Sequence, residues 1–325
     1  MSMNRLVEYS DIKFALGSDV FLTLVTDQPA ARVAQLLNEL WLEIFKFERR
    51  FSRFLPASEL SAFNRSAGVK TDVSREFWNF LNVTKELAVE SKGLFNPFLM
   101  PALQRVGYNK SFADEYNADT LDDHSNKRVV SSERLQLGDG WAMIPYGTAL
   151  DLGGCGKGYL ADYIADNFIP DWISGYWLSF GGDIVGQGHD ADNNFWNVLV
   201  DSLESSGASF QIPTQGHRFA VATSSTNVIK GAYNGKTWHH IIDPRTGSPA
   251  QSDIIQATVL HEYAIKADVL ASMAIILGCN EAKEYLDIRG VTTAIFQGAS
   301  YSKIFGIAEK VKANNHSSEE VLLDA

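Results

Sequence analysis

The spacing of apolar residues changes period several times along the chain, and each change marks an element. From Phe14 to Val25 apolar residues are interrupted only by short polar steps, which predicts a strand. Pro29 then opens a segment where Val33, Leu36, Leu37, Leu40, Ile44 and Phe51 recur at helical spacing, so one face is apolar. Residues 51–64 read as a loop holding a short helix. The stretch from Ser74 to Ser91 predicts a second helix with Phe77, Phe80, Leu81 and Leu87 inside and Gly93 placed to end it. Residues 110–133 are polar and acidic, and predict a loop or insertion. Short runs then follow at Trp177 to Phe180, Phe195 to Val200, Arg218 to Ala222, Trp238 to Ile242 and Ile254 to Leu260, each fitting a strand. Helices are predicted over about 157–168 and 263–277. Strands in runs with helices between them give an α+β fold, mainly antiparallel sheets packed with helices. The expected organisation is a single domain over residues 1–311, with room for two closely packed lobes, and a loose polar tail over 312–325.

Composition narrows the function classes. The chain has 325 residues, 45% of them hydrophobic, which is ample for a substantial core. Its formal net charge of −11 argues against nucleic-acid or anionic-membrane partners. The N-terminal residues lack the continuous apolar stretch of an export signal, and no run is apolar enough to span a bilayer, so a cytoplasmic location without membrane insertion is expected. The two cysteines, Cys155 and Cys279, have no metal or disulfide spacing and read as small buried residues.

Four segments could carry chemistry. The run Leu150-Asp-Leu-Gly-Gly-Cys-Gly-Lys-Gly-Tyr159 leads into a helix, where exposed backbone N–H groups favour an anion; a tight strand-to-helix turn explains it equally well. In Ser179-Phe-Gly-Gly-Asp-Ile184 the glycines allow close approach, and Asp183 either holds a ligand hydroxyl or caps a turn. In His239-His-Ile-Ile-Asp-Pro-Arg-Thr-Gly247 the paired histidines alternate across a strand, so only one can face a given site. In the helix starting near Ala264, Asp268 and Ser272 share a face. Buried, that pair offers hard oxygen ligands to Mg²⁺; exposed, Asp268 merely answers the helix dipole.

In order, these segments resemble the ApbE family of FAD:protein FMN transferases. The matching stretches are Ser52-Arg-Phe-Leu-Pro-Ala-Ser-Glu-Leu60, Leu94-Phe-Asn-Pro97, Asp151-Leu-Gly-Gly-Cys-Gly-Lys157, Ala222-Thr-Ser224, His240-Ile-Ile-Asp-Pro-Arg-Thr-Gly247 and Ala267-Asp-Val-Leu-Ala-Ser272. The resemblance implies Mg²⁺ held by the Gly154 carbonyl, Asp268 and Ser272. It implies FAD contacts at Leu16, Phe54, Leu94, Phe95, Asn96, Asp151, Lys157 and Ile242, with His240 as general base. Here Ser272 stands where the family has Thr, Asn96 where it has Asp, and Phe54 where it has Tyr. The implied reaction moves FMN from FAD to a Thr or Ser hydroxyl of an acceptor flavoprotein subunit and releases AMP. Hydrolysis of FAD to FMN and AMP, and flavin binding without catalysis, are the alternatives. The loop from Ser202 to Ser209 contains Ser-Gly-Ala-Ser, similar to the family's acceptor motif, but Leu203 occupies the position of its Asp; Ser209 is therefore not expected to carry FMN.

Overall fold

The computed structural model describes residues 5–108, 129–203, 208–233 and 236–312. Most of the predicted polar insertion, residues 204–207 of the Ser202–Ser209 loop, and the tail beyond Lys312 lie outside the described residues. The chain divides into two compact units. One comprises Met1–Phe45, Lys157–Ser225 and Asp253–Ala325; the other comprises Lys46–Gly156 and Thr226–Ser252. Helices and mostly antiparallel sheets make up the described residues, the α+β class expected.

The first unit is built on an eight-stranded sheet whose strands lie side by side in chain order. They are Val7–Ala15, Ser18–Thr26, Gly175–Phe180, Asp183–Gln187, Phe219–Ser225, Gln256–His261, Thr293–Gln297 and Ser302–Phe305, and every pairing is antiparallel. The strand predicted from Phe14 to Val25 is in fact a hairpin. Ala15 pairs with Ser18, and Leu16 and Gly17 between them have φ of 58° and 77°. Two consecutive left-handed residues reverse the chain with the twist a hairpin needs. The usual Asn-Gly or Asp-Gly signal is missing; the only turn-forming residues are Gly17, Ser18 and Asp19. A γ-branched leucine at positive φ is a strained choice.

Helix Ala264–Leu277 packs against strands Phe219–Ser225 and Gln256–His261. Residues all round it are buried, from Ala264 through Ile276, so it lacks the polar face of a surface helix. Its N-cap residue, Tyr263, makes no side-chain cap bond. The buried Asp162 carboxylate, on helix Gly153–Phe168, instead accepts the N–H groups of Ala264 and Ile265, each at 2.9 Å. Arg218 donates to the same carboxylate at 2.6 Å. Burial pushes the Asp162 carboxyl up, while these three donors pull it down.

A three-stranded sheet, Asn197–Asp201, Ala208–Pro213 and Glu309–Lys312, adds Val198, Val200, Phe210 and Ile212 to a core with Ile184, Phe219 and Ile295. Phe195, predicted to start the first of these strands, forms only an isolated bridge to His189. Ser209 is not in a free loop: it pairs with Asp201 on one side and Val311 on the other.

The second unit confirms the amphipathic helix at Arg75–Glu90, where Ser74 caps by accepting the Phe77 N–H. Rings of Phe51, Phe63, Phe77 and Phe80 meet at about 5.5 Å or less between centroids. The run predicted as a strand from Trp238 to Ile242 breaks after His239, although the His240 N–H still bonds the Ile229 carbonyl at 3.1 Å, the next pair in the same register; a short strand resumes at Ile242–Asp243. Ile242 and Trp238 pack with Ala102, Leu103 and Val106.

Candidate active site

In the first unit, three elements converge on one charged cluster. The predicted glycine-rich turn is itself the first turn of helix Gly153–Phe168, and the same helix presents Lys157 and Gly158. The hairpin between Gly175–Phe180 and Asp183–Gln187 turns through Gly181 and Gly182, with φ of 63° and 93°, and so delivers Asp183. A Cβ on Gly181 would lie 2.4 Å from Ser18 Oγ, so this turn tolerates only glycine against the Leu16–Gly17 hairpin. Helix Ala264–Leu277 supplies Asp268 and, one turn later, Ser272.

Lys157 Nζ lies 3.1 Å from Asp183 Oδ2 and 3.5 Å from the Gly181 carbonyl. The Thr223 and Gly158 backbone N–H groups lower the Asp183 and Asp268 carboxyls respectively. Gly158 permits this because a Cβ there would sit 2.6 Å from Ile265 Cα and 2.7 Å from the Ala264 carbonyl oxygen, both backbone atoms. The helices touch only because that side chain is absent. Ser272 Oγ shares a hydrogen bond of 2.8 Å with Ser224 Oγ from the neighbouring strand.

Asp183 and Asp268 are 3% and 7% exposed, so neither is solvated. The exposed-Asp reading of Asp268 therefore fails. The Oδ2 of Asp268 has no hydrogen-bond donor. Burial raises the Asp268 carboxyl well above the usual range, Asp183's charge raises it further, and Lys157 only partly offsets this. Asp183 is raised by burial and lowered chiefly by Lys157. With both carboxyls ionised, two buried carboxylates against one ammonium carry a charge of −1. A buried charge of that kind is unfavourable unless a cation joins it. With Ser272 beside it, the donor set is all oxygen, which suits a hard divalent ion.

In the second unit the predicted residues fall into another arrangement. Arg53 forms a buried ion pair with Asp151 and lies over the rings of Phe54 and Tyr108, at 4.2 and 4.5 Å from their centroids. Asp151 Oδ1 also accepts the Gly153 N–H at 2.8 Å, at the start of the glycine-rich helix. Gly154 is exposed in that first turn, and a Cβ on it would be 3.9 Å from Phe95. Leu94 and Phe95 are half-buried. The His240 ring lies 6.2 Å from that of Tyr108, edge to face, and its Nδ1 is 3.2 Å from the Ile229 carbonyl. That bond places the proton on Nδ1 and the lone pair on Nε2.

Two predicted contacts have structural duties that spacing does not reveal. Asn96 accepts the Phe98 N–H and donates to the Val130 carbonyl, both at 2.9 Å, so its amide holds a turn. The Ile242 side chain is committed to the core, and its backbone sits in a short strand paired with Pro249. Sequence reasoning left Asp183 between two roles and passed over Arg53, Tyr108 and Asp162. The arginine was visible inside Ser52-Arg-Phe54, but its partner lies almost a hundred residues on.

The sequence profile of the ApbE family matches residues 16–296. This chain belongs to the ApbE family. It is 26% identical over 325 residues to the FAD:protein FMN transferase of Treponema pallidum, covering 95% of this chain and 90% of that one. A Klebsiella pneumoniae protein of the same name is 24% identical, covering 91% and 90%. Among solved structures, the apo form of the Pseudomonas stutzeri flavinyl transferase ApbE superposes with a TM-score of 0.79 at 19% identity, covering 94% of this chain and 96% of that one. The Vibrio cholerae flavin transferase ApbE gives 0.77 at 20% identity, covering 92% and 97%. These ApbE structures share the fold of this chain. No helix among the described residues is long and apolar enough to cross a membrane.

Proposed function

We propose that this ApbE-family chain transfers FMN from FAD to a Ser or Thr hydroxyl of an acceptor flavoprotein subunit. The observation that carries this reading is the buried Asp268 oxygen without a donor, in a cluster already one negative charge in excess. Mg²⁺ held by Asp268, Ser272 and the Gly154 carbonyl would supply Lewis-acid neutralisation of pyrophosphate charge.

The chain's own groups have distinct tasks. Lys157 offers its ammonium to phosphate oxygens. The flat faces of Phe54 and Tyr108 around Arg53 suit a planar ring. The acceptor hydroxyl oxygen forms a bond to the FMN phosphorus as the bridging P–O bond breaks, and that bond's electron pair leaves on AMP. His240 takes the hydroxyl proton at Nε2. Names of relatives support the substrate pair, since proteins similar over nearly the full chain are called FAD:protein FMN transferases.

The test is incubation with FAD, Mg²⁺ and candidate flavoprotein subunits, read by intact-mass spectrometry and AMP release. A covalent FMN adduct with matching AMP is expected. FMN and AMP without an adduct would make the protein a pyrophosphatase. Retained FAD without turnover would make it a flavin-binding protein.

A further inference from the structure

Asp183 has no part in the proposed chemistry, yet its carboxylate is among the most buried in the first unit. It stands on a turn that only glycines can make, aimed at Lys157. Lys157 is followed by Gly158, whose backbone packs against Ala264 and Ile265, one turn before Asp268 on the same helix. Without Asp183, Lys157 would be the counter-ion of Asp268. The cluster would then be neutral, and its ammonium would repel an incoming cation.

We propose that Asp183 is a positioning residue that holds Lys157 as its own ion-pair partner and so leaves the Asp268 charge for a divalent cation. The Gly181 carbonyl helps, since it accepts from the same ammonium on the Asp183 side. This inference rests on the cation site of the proposed function, but it makes a separate statement: Asp183 acts through Lys157 and does not itself ligate.

The charge ledger of the cluster gives an order of affinities. Wild type carries −1, Asp183→Asn carries 0, Lys157→Met carries −2, and the double variant carries −1 again. Mn²⁺ binding is measured by electron paramagnetic resonance on the four proteins without FAD, with circular dichroism to verify folding. Asp183→Asn is expected to bind Mn²⁺ at least ~10-fold more weakly, as one nearby unit charge in a partly screened interior would dictate. Lys157→Met is expected to bind more tightly than wild type, and the double variant to return to within about threefold of it. If the double variant stays as weak as Asp183→Asn, Asp183 is a direct ligand and the proposal is overturned. Equal affinity of Asp183→Asn and wild type overturns it as well, while leaving the cation site standing. If Asp183→Asn does not fold, Lys157→Met decides: affinity at or below wild type overturns the proposal. No Mn²⁺ binding by folded wild type overturns both the site and this inference.

Discussion

Replacing Asp162 tests how the helix that carries Asp268 is held. The Asp162 carboxylate is the acceptor for two buried N–H groups, those of Ala264 and Ile265, and for Arg218. Asp162→Ala leaves both amides unsatisfied in a place water does not reach. Each such group costs about 1–3 kcal/mol, and a lost helix cap about 0.5–2 kcal/mol; the two descriptions overlap, so the sum is about 2–5 kcal/mol. Arg218 adds little, because it keeps Asp166 and the Glu262 carbonyl as partners. Asp162→Asn keeps one acceptor oxygen but turns an NH₂ group toward the other amide, so about half the loss is expected. Urea unfolding followed by far-ultraviolet circular dichroism gives the free energies, and hydrogen exchange at Ala264 and Ile265 gives the local effect. Asp162→Ala within ~0.5 kcal/mol of wild type would mean that Tyr263 or water caps the helix and the reasoning is wrong.

Asp268→Ala should abolish FMN transfer while the protein keeps or gains thermal stability in the absence of metal, since it removes a buried uncompensated carboxylate; Ser272→Ala should damage transfer less, and equal damage would show the ligands ranked wrongly. His240→Gln should lower kcat by about 10²–10⁴-fold, the range for losing a general base, with FAD binding by fluorescence retained. Stability should fall as pH drops below about 6.5, because burial holds the His239 imidazole below that ordinary value. The unfolded chain then takes up a proton that the folded one refuses, so the contribution present above ~6.5 is lost as pH drops, and the melting temperature of His239→Gln should fall less steeply over that window.

Much of the fold was legible where one period ran long enough. The face of Phe77, Phe80, Leu81 and Leu87 identified its helix, with Ser74 as cap and Ser91 near the end. The first hairpin was not legible, because Gly17-Ser18-Asp19 follows a leucine where Asn or Asp is usual, and positive φ at a leucine is imposed by its surroundings. Helix Cys279–Ile288 and the strands Thr293–Gln297 and Ser302–Phe305 went unread, being short elements behind an apolar helix. In the site, spacing placed Asp268 and Ser272 on one face correctly. It could not say whether that face was buried, which depended on strands up to fifty residues before it. The ion pairs Lys157–Asp183 and Arg53–Asp151 were invisible for the same reason: each joins residues far apart in the chain.

The strand order of the eight-stranded sheet also says when the charged cluster can come into being. Val20 meets Lys13 in the first hairpin but must wait for Phe180 on its other side, and the Lys46–Gly156 part of the second unit is synthesised in between. Such distant pairings make the sheet slow to close. On the ribosome, Lys157 and Asp183 are both made well before Asp268 and can neutralise one another early. Asp268 arrives only after two further strands of the sheet, Phe219–Ser225 and Gln256–His261, have been made. The nascent chain is thus spared an unmatched buried carboxylate until the last third of the protein is ready to enclose it, and the charge that equips the site for a cation is also the last to be buried.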